Sequence, residues 1–258
     1  MSLLEEPPQE SWDLEAHRIT IPAHAGPTQF ASSSSQQPDA QAEADAGGFF
    51  YIPNFITEDE ERFLTDAILS APKPKWKVLQ NRRLQEWGGQ MLAKNNTLMP
   101  QPMPDFLTAY PDLISRLRKT GAFEASKHGE PNHCLVNEYL AGQGIMPHED
   151  GPAYFPAVAT ISLGSHTLLD VYRYVDEDLQ KDFDERMKEH DEKAAKTEMA
   201  TGDDAHAEDA SKSKIVPKER IEGNVKIVRG ARAREPNPVF SILQEPRSLL
   251  ITTGHVYK

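Results

Sequence analysis

Residues 137–150 read Asn-Glu-Tyr-Leu-Ala-Gly-Gln-Gly-Ile-Met-Pro-His-Glu-Asp, and this stretch decides the fold prediction. In a β-strand, side chains two positions apart point to the same face. His148 and Asp150 are two positions apart after a Gly-rich turn, and Asn137 and Tyr139 have the same spacing before it. We therefore predict a hairpin that carries these four polar side chains on one face, which would form half of a metal pocket.

The chemistry of these four residues suits a redox metal. A His and an Asp are two of the three ligands in the 2-His-1-carboxylate set that holds non-heme iron(II) and leaves positions open for a keto acid and dioxygen. Asn137 and Tyr139 could hydrogen-bond such a co-substrate through an amide and a phenol. The alternative is that His148 and Asp150 form a local ion pair without a metal.

The regions on either side of this stretch contain further strand and helix signals. Thr57 with Glu60 three residues later is a capping-box pattern, which predicts a helix that ends before Pro72. The strand-like segments are residues 47–53, 156–165, 167–174, 238–243 and 248–253. We expect the last two to pair with strands that precede residue 176.

Several motifs in this region resemble those of one family. Residues 136–139, 144–152 and 160–167, together with 51–56 and the stretch from 71–76 to 87–89, are similar to the AlkB family of Fe(II)/2-oxoglutarate-dependent dioxygenases. The resemblance covers about 49–175 and 238–258. It is carried by several motifs in the same order and does not depend on the His-x-Asp pair alone.

The resemblance implies a mainly β fold with flanking helices, a double-stranded β-helix or jelly-roll. It implies that His148 and Asp150 are catalytic ligands of Fe(II), and that Asn137 and Tyr139 bind the co-substrate 2-oxoglutarate. The implied activity is oxidative demethylation of nucleic acid with dioxygen. The alternatives are a non-catalytic nucleic-acid-binding protein and a protein-directed hydroxylase or demethylase, since one fold supports several functions.

A basic, Trp-flanked segment precedes the central motif. Between Pro72 and Arg83 the chain has five Lys or Arg and no acid. Cations that meet phosphates and rings that stack on bases suit nucleic-acid contact, although a solvated basic loop with buried Trp side chains is the alternative. The resemblance places a nucleotide-covering lid at residues 73–95. The nucleic-acid candidates are Lys73, Lys75, Trp76, Lys77, Arg82, Arg83 and Trp87.

The third ligand is missing from the pattern. In the family a distal His, followed by an Arg that pairs with 2-oxoglutarate, comes after the strand that resembles residues 248–252. On this alignment both positions fall beyond Lys258, so we expect this chain to have weak or no turnover. His255 is an alternative third ligand, although no Arg follows it.

Composition divides the chain into segments. Residues 1–46 are predicted to be disordered, residues 47–175 and 235–258 to form the dioxygenase domain, and residues 176–234 to be a charged insertion. One cysteine in 258 residues and no apolar run long enough for a membrane span predict a cytoplasmic or nuclear protein. We also expect a monomer, and a net charge of −12 argues against a nucleic-acid clamp that uses the whole surface.

Overall fold

The computed structural model describes residues 12–21, 47–92, 97–150, 153–174, 219–222, 225–228 and 234–254, with Lys181 and Glu185. Most of the segments 1–46 and 176–234 therefore lies outside the described residues. The chain divides into two compact units: residues 1–169 with 243–258, and residues 170–242.

The described elements are short. The helices are α1 (Glu58–Leu69), α2 (Asp105–Thr108) and α3 (Leu113–Lys119), with 3₁₀ turns at Leu14–His17 and Lys73–Lys75. The strands are β1 (Gly47–Ile52), β2 (Lys77–Leu79), β3 (Arg82–Trp87), β4 (Gly89–Leu92), β5 (Thr97–Pro100), β6 (Cys134–Glu138), β7 (Ala157–Ile161), β8 (Thr167–Val171), β9 (Glu219–Glu222), β10 (Val225–Val228), β11 (Phe240–Gln244) and β12 (Leu249–Gly254).

The core of the first unit is built on the sheet β1-β12-β7, in which both pairs are antiparallel. The central strand β12 is apolar, and Leu249 and Ile251 are fully buried. Strands with neighbours on both sides and cover on both faces have this continuous apolar character. The predicted strands of residues 47–53 and 248–253 are confirmed, and so is the pairing of β12 with strands that precede residue 176.

Helix α1 closes one side of this core. Thr57 caps it through the predicted capping box, because the Thr57 side chain accepts from the Glu60 N–H and the Glu60 side chain accepts from the Thr57 N–H. Leu64 is buried in the core, and Glu60 is buried while it is paired with Arg116 of α3. Burial alone would raise the pKa of the Glu60 carboxyl, but hydrogen bonds from Arg116 and Thr57 hold the pKa below its ordinary value.

The remaining strands of the first unit form a second antiparallel sheet, β2-β3-β6, and a hairpin, β4-β5. The mainly β fold with flanking helices is confirmed. Within the described residues the strands form small separate sheets and no closed barrel, an arrangement consistent with the jelly-roll prediction.

Part of the N-terminal segment differs from the prediction of disorder. Residues 12–21 include a 3₁₀ turn and lie against β1, where Ile19 N donates to Phe49 O at 2.8 Å. The Trp12 and Phe55 ring centroids are 5.1 Å apart, and the Arg18 guanidinium lies over the Phe50 ring. The average composition of a polar, Pro-rich segment does not reveal a short stretch within it that makes apolar contacts.

The second unit is described over fewer residues. Tyr174 and Arg234 form an isolated antiparallel bridge, and the Arg234 guanidinium lies over the Tyr172 ring. β9 and β10 form an antiparallel hairpin, and β11 pairs with β8, as the sequence predicts for the segment 238–243. Among the helices described, none has the length and apolar character needed to span a bilayer.

Candidate metal and co-substrate site

The β3–β6 pair positions the first group of candidate site residues. In its register Leu84 lies opposite Asn137, and Arg83 lies opposite Glu138. Directly opposed residues share a face of the sheet, and neighbours along a strand alternate. One face therefore carries Arg82 and Asn137, and the other carries Arg83 and Glu138.

Arg82, Asn137 and Tyr139 come together on the first of these faces. Arg82 Nε donates a hydrogen bond to Asn137 Oδ1 at 3.1 Å. Burial raises the pKa of the Tyr139 phenol, whereas the positive charge of Arg82 lowers it. Arg82 therefore lies close to Tyr139 as well as to Asn137. Tyr139 follows the end of β6 and is 40% exposed, which leaves this face open to a small ligand.

His148 and Asp150 are adjacent, as predicted, but they do not lie on a strand. Residues 143–150 contain no regular element, because Pro147 lacks the N–H that a strand ladder needs. His148 Nε2 is 3.8 Å from Asp150 Oδ1, and both side chains are half-exposed. The predicted strand at these residues is therefore wrong, although the two side chains lie close together as expected.

The orientation of the His148 ring suits a metal ligand. His148 Nδ1 is 2.8 Å from the Met146 carbonyl oxygen, which can only accept, so Nδ1 is the donor of this hydrogen bond. In the neutral ring the lone pair is then on Nε2, the ring nitrogen that faces Asp150. A backbone carbonyl on the other ring nitrogen is the usual way in which proteins set the tautomer of a ligating His.

The spacing of these two donors can be compared with that of a metal site. Ligands at about 2.1 Å on adjacent corners of an octahedron are about 3 Å apart. The observed 3.8 Å is within about 1 Å of this value, so a small side-chain rotation brings Nε2 and Oδ1 onto one ion. The two residues therefore fit two positions of a first-row metal.

A third ligand does not join them in the described part of the chain, where no three His, Cys, Asp or Glu side chains are grouped closely enough to hold a metal. His255, the alternative considered from the sequence, lies outside the described residues.

The predicted nucleic-acid residues are divided between the two faces of the β3–β6 pair. The Arg83 guanidinium lies 4.0 Å from the centre of the Trp76 ring and pairs with Glu138, on the face opposite to Arg82. Lys75 Nζ lies 3.9 Å from the centre of the Trp87 ring, so the 3₁₀ turn is attached to β3 by two cation–π contacts.

The remaining basic candidates stand apart from these contacts. Lys73 is exposed within the 3₁₀ turn. Lys77 is exposed on β2 opposite Leu84, which places it on the Arg82 face. The basic segment is therefore not one continuous surface.

Two residues near the candidate site, His133 and Tyr154, were not predicted from the sequence. The His133 ring stacks on Tyr154 with centroids 5.7 Å apart, and among the described residues His133 Nε2 is a buried polar atom without a hydrogen-bond partner. Burial raises the pKa of Tyr154, and the negative charges of Asp150 and Glu86 raise it further. His133 and Asn137 are separated by an even number of positions, so strand alternation predicts that they lie on the same face. This pattern could have identified His133 from the sequence.

Comparison with curated proteins finds relatives with similar sequences over about half of this chain. It is 53% identical over 126 residues to "Probable RNA/DNA demethylase ALKBH6" of Danio rerio, a match that covers 49% of this chain and 50% of that protein. It is 28% identical over 130 residues to "tRNA (carboxymethyluridine(34)-5-O)-methyltransferase alkbh8" of Xenopus tropicalis, covering 48% of this chain and 20% of that protein.

A third relative, "Alkylated DNA repair protein ALKBH8 homolog" of Arabidopsis thaliana, is 25% identical over 139 residues, covering 52% of this chain and 38% of that protein. The chain thus spans no more than half the length of these three relatives. No protein-family model matches it.

Proposed function

We propose that this chain is an AlkB-family Fe(II)/2-oxoglutarate-dependent dioxygenase that acts on nucleic acid. The proposal starts from its similarity to ALKBH6 and ALKBH8 proteins. The reaction would be oxidative demethylation. The Danio rerio relative carries the name "Probable RNA/DNA demethylase ALKBH6", and we extend that description to this chain as part of the proposal.

The observation that carries this proposal is the geometry of His148 and Asp150. The two donor atoms are 3.8 Å apart, and the Met146 carbonyl holds the proton of the imidazole on the far nitrogen. This hydrogen bond leaves Nε2 directed toward Asp150, the position that a shared metal ion would occupy. A neutral imidazole beside an ionised carboxylate is the donor set that iron(II) takes in non-heme oxygenases.

Iron(II) and 2-oxoglutarate, when bound, would supply the oxidising chemistry. Dioxygen oxidises 2-oxoglutarate to succinate and carbon dioxide, so that one oxygen atom enters succinate and the other converts a C–H bond of the methyl group to C–OH. When the methyl group is on nitrogen, the resulting N–CH₂OH group releases formaldehyde.

The residues of this chain would position the reactants. His148 Nε2 and Asp150 Oδ1 would hold the metal. Asn137 and Tyr139 would bind the co-substrate through amide and phenol hydrogen bonds. The lid predicted at residues 73–95, of which 93–95 lie outside the described residues, would cover an unstacked nucleotide with the rings of Trp76 and Trp87, because an enzyme that acts on a base must hold it outside the stack.

The test measures metal binding and turnover separately. Mn²⁺ binding, followed by electron paramagnetic resonance, should be seen with the unaltered chain and lost in His148→Ala and Asp150→Ala. Because the sequence predicts weak turnover, succinate release should be low, but with Fe(II), 2-oxoglutarate and a methylated oligonucleotide it should still exceed release with a methylated peptide. A chain that neither binds Mn²⁺ nor releases succinate would refute the proposal, and stimulation by the peptide alone would point to a protein-directed enzyme.

A second candidate function is a nucleic-acid-binding protein without turnover. It is favoured by the grouping of only two metal donors within the described residues. Charge reversal at the exposed Lys73 and Lys77 distinguishes the two. Loss of oligonucleotide binding in this variant, with no succinate release by either protein, would support the second candidate.

A further inference from the structure

Arg82 is positioned differently from its chain neighbour Arg83. Arg83 is paired with Glu138, whose two carboxylate oxygens accept from its guanidinium. Arg82 makes no such contact with an acid in the described part of the chain, where its hydrogen bond goes to the neutral amide oxygen of Asn137. A guanidinium has five N–H donors, and this bond uses Nε alone, so the two terminal nitrogens are available to a ligand.

The surroundings of Arg82 favour a small anion over a nucleic-acid backbone. It shares its face of the β3–β6 pair with Asn137 and Tyr139, and Tyr139 is 40% exposed. The rings that could stack on bases, Trp76 and Trp87, lie beside Arg83 and Lys75, and the described ring contacts do not include Arg82. Amide, phenol and guanidinium together form a donor set for a carboxylate, since the planar fork of Arg matches both carboxylate oxygens.

We propose that Arg82, with Asn137 and Tyr139, forms a carboxylate-binding site that holds one carboxylate of the 2-oxo-dicarboxylic acid co-substrate. This inference rests on the proposed function and adds to it a residue that the sequence analysis placed among the nucleic-acid contacts. Asn137 Oδ1 orients the guanidinium through Nε, and the terminal nitrogens then face the ligand.

The experiment measures binding rather than activity. 2-Oxoglutarate is titrated into the 258-residue chain by calorimetry with Mn²⁺ present, and a fluorescein-labelled oligonucleotide is titrated separately by anisotropy. Arg82→Gln should weaken 2-oxoglutarate binding about tenfold or more and change oligonucleotide binding less than about twofold. Arg82→Lys, which keeps the charge but lacks the fork, should give an intermediate loss.

Two further variants act as comparisons. Arg62→Gln removes one exposed cation from α1 and should leave 2-oxoglutarate binding unchanged, which controls for net charge. Arg83→Gln should show the reverse selectivity of Arg82→Gln, with weaker oligonucleotide binding and unchanged 2-oxoglutarate binding.

The result for the unaltered chain tests the proposed function, and the result for Arg82→Gln tests the inference separately. If the unaltered chain binds 2-oxoglutarate and Arg82→Gln binds it equally well, Arg82 is not the anchor, and the proposed function stands. If Arg82→Gln loses oligonucleotide binding instead, the anion at Arg82 is a phosphate, and the inference is overturned. If the unaltered chain does not bind 2-oxoglutarate, the inference and the proposed function fail together.

Discussion

Arg82 and Arg83 are neighbours in the chain, but their side chains lie on opposite faces of the β3–β6 pair. Arg82 donates to Asn137, and Arg83 pairs with Glu138, the residue that follows Asn137. We therefore assign separate roles to the two faces. The Arg82 face would bind a small anion, and on the other face Arg83 contacts the Trp76 ring. Variants at each face should affect different ligands.

The first prediction concerns the Arg83 face. The Glu138 carboxylate competes with phosphate for the Arg83 guanidinium, so Glu138→Gln should raise oligonucleotide affinity about threefold. The slope of log affinity against log salt should become steeper by about one unit, as expected for one further phosphate contact. Fluorescence anisotropy between about 50 and 200 mM salt measures both values.

Glu124→Gln is the matched control for this variant, because it makes the same charge change at an exposed position after α3. Equal affinity gains in both variants would show that net charge alone is responsible. An unchanged affinity in Glu138→Gln would show that Arg83 does not contact the nucleic acid.

The second prediction concerns the buried pair of Glu60 and Arg116. Glu60→Gln keeps a side chain that can complete the capping box, but it removes the charge that pairs with Arg116, whose side chain is 16% exposed. Removal of one partner of a buried pair should cost about 3 kcal/mol in the free energy of unfolding. Urea denaturation at neutral pH measures this difference.

The pH dependence of the same pair has a definite sign. The pKa of Glu60 is lowered in the folded protein from its ordinary value of 4.5, so its stabilisation is complete above 4.5 and is lost as the pH falls through the lower folded value. The stability gap between the unaltered protein and Glu60→Gln should close in that acidic range. Asp59→Asn, at an exposed acid paired with Arg62, should change stability by less than about 0.5 kcal/mol.

The third prediction concerns Cys134, the single cysteine of the chain. It is partly buried and packs against the core, and burial raises the pKa of its thiol to about 12. Because the thiolate is the reactive form, alkylation by iodoacetamide at about pH 8 should be roughly a thousandfold slower in the folded protein than in denaturant. Equal rates in the two states, followed by mass spectrometry, would contradict the burial of this thiol.

The fourth prediction separates backbone strain from side-chain contact at Arg247. Its φ of 68° is in the left-handed region, and its side chain donates to Glu61 Oε2 at 3.0 Å. Arg247→Ala and Arg247→Gly both lose this contact, but only glycine adopts the backbone conformation without strain. We expect the glycine variant to be more stable than the alanine variant by about 1 kcal/mol in chemical denaturation. The reverse order would show that the loop around residue 247 relaxes when the side chain is lost.

Local signals predicted much of the fold. The Thr57–Glu60 capping box and the strands around Ile52, Ile161 and Ile251 were found because each depends on short-range chemistry or on a clear apolar run. The ordered residues 12–21 were missed because their contacts, such as Trp12 with Phe55, join positions far apart in the chain. Composition alone does not report such contacts.

The candidate site was predicted less completely. The pairing of His148 with Asp150 follows from their spacing, whereas the loop that carries them follows from Pro147 and the glycines before it. The basic segment was treated as one surface because its residues share a charge. Strand alternation would have separated Arg82 from Arg83 once β3 was recognised, but His133 and Tyr154 meet only through tertiary structure.

The β1–β12 pair also has a consequence for how the chain folds. Gly48 N donates to Thr253 Oγ1, a residue 205 positions later in the sequence. Contacts of this range are formed late, because the entropy of closing a long loop is lost before the pairing is gained. During synthesis Phe50 and Ile52 cannot form their ladder with Ile251 and Leu249 until β12 leaves the ribosome. The growing chain is therefore expected to fold slowly and to depend on protection of this strand until its partner arrives.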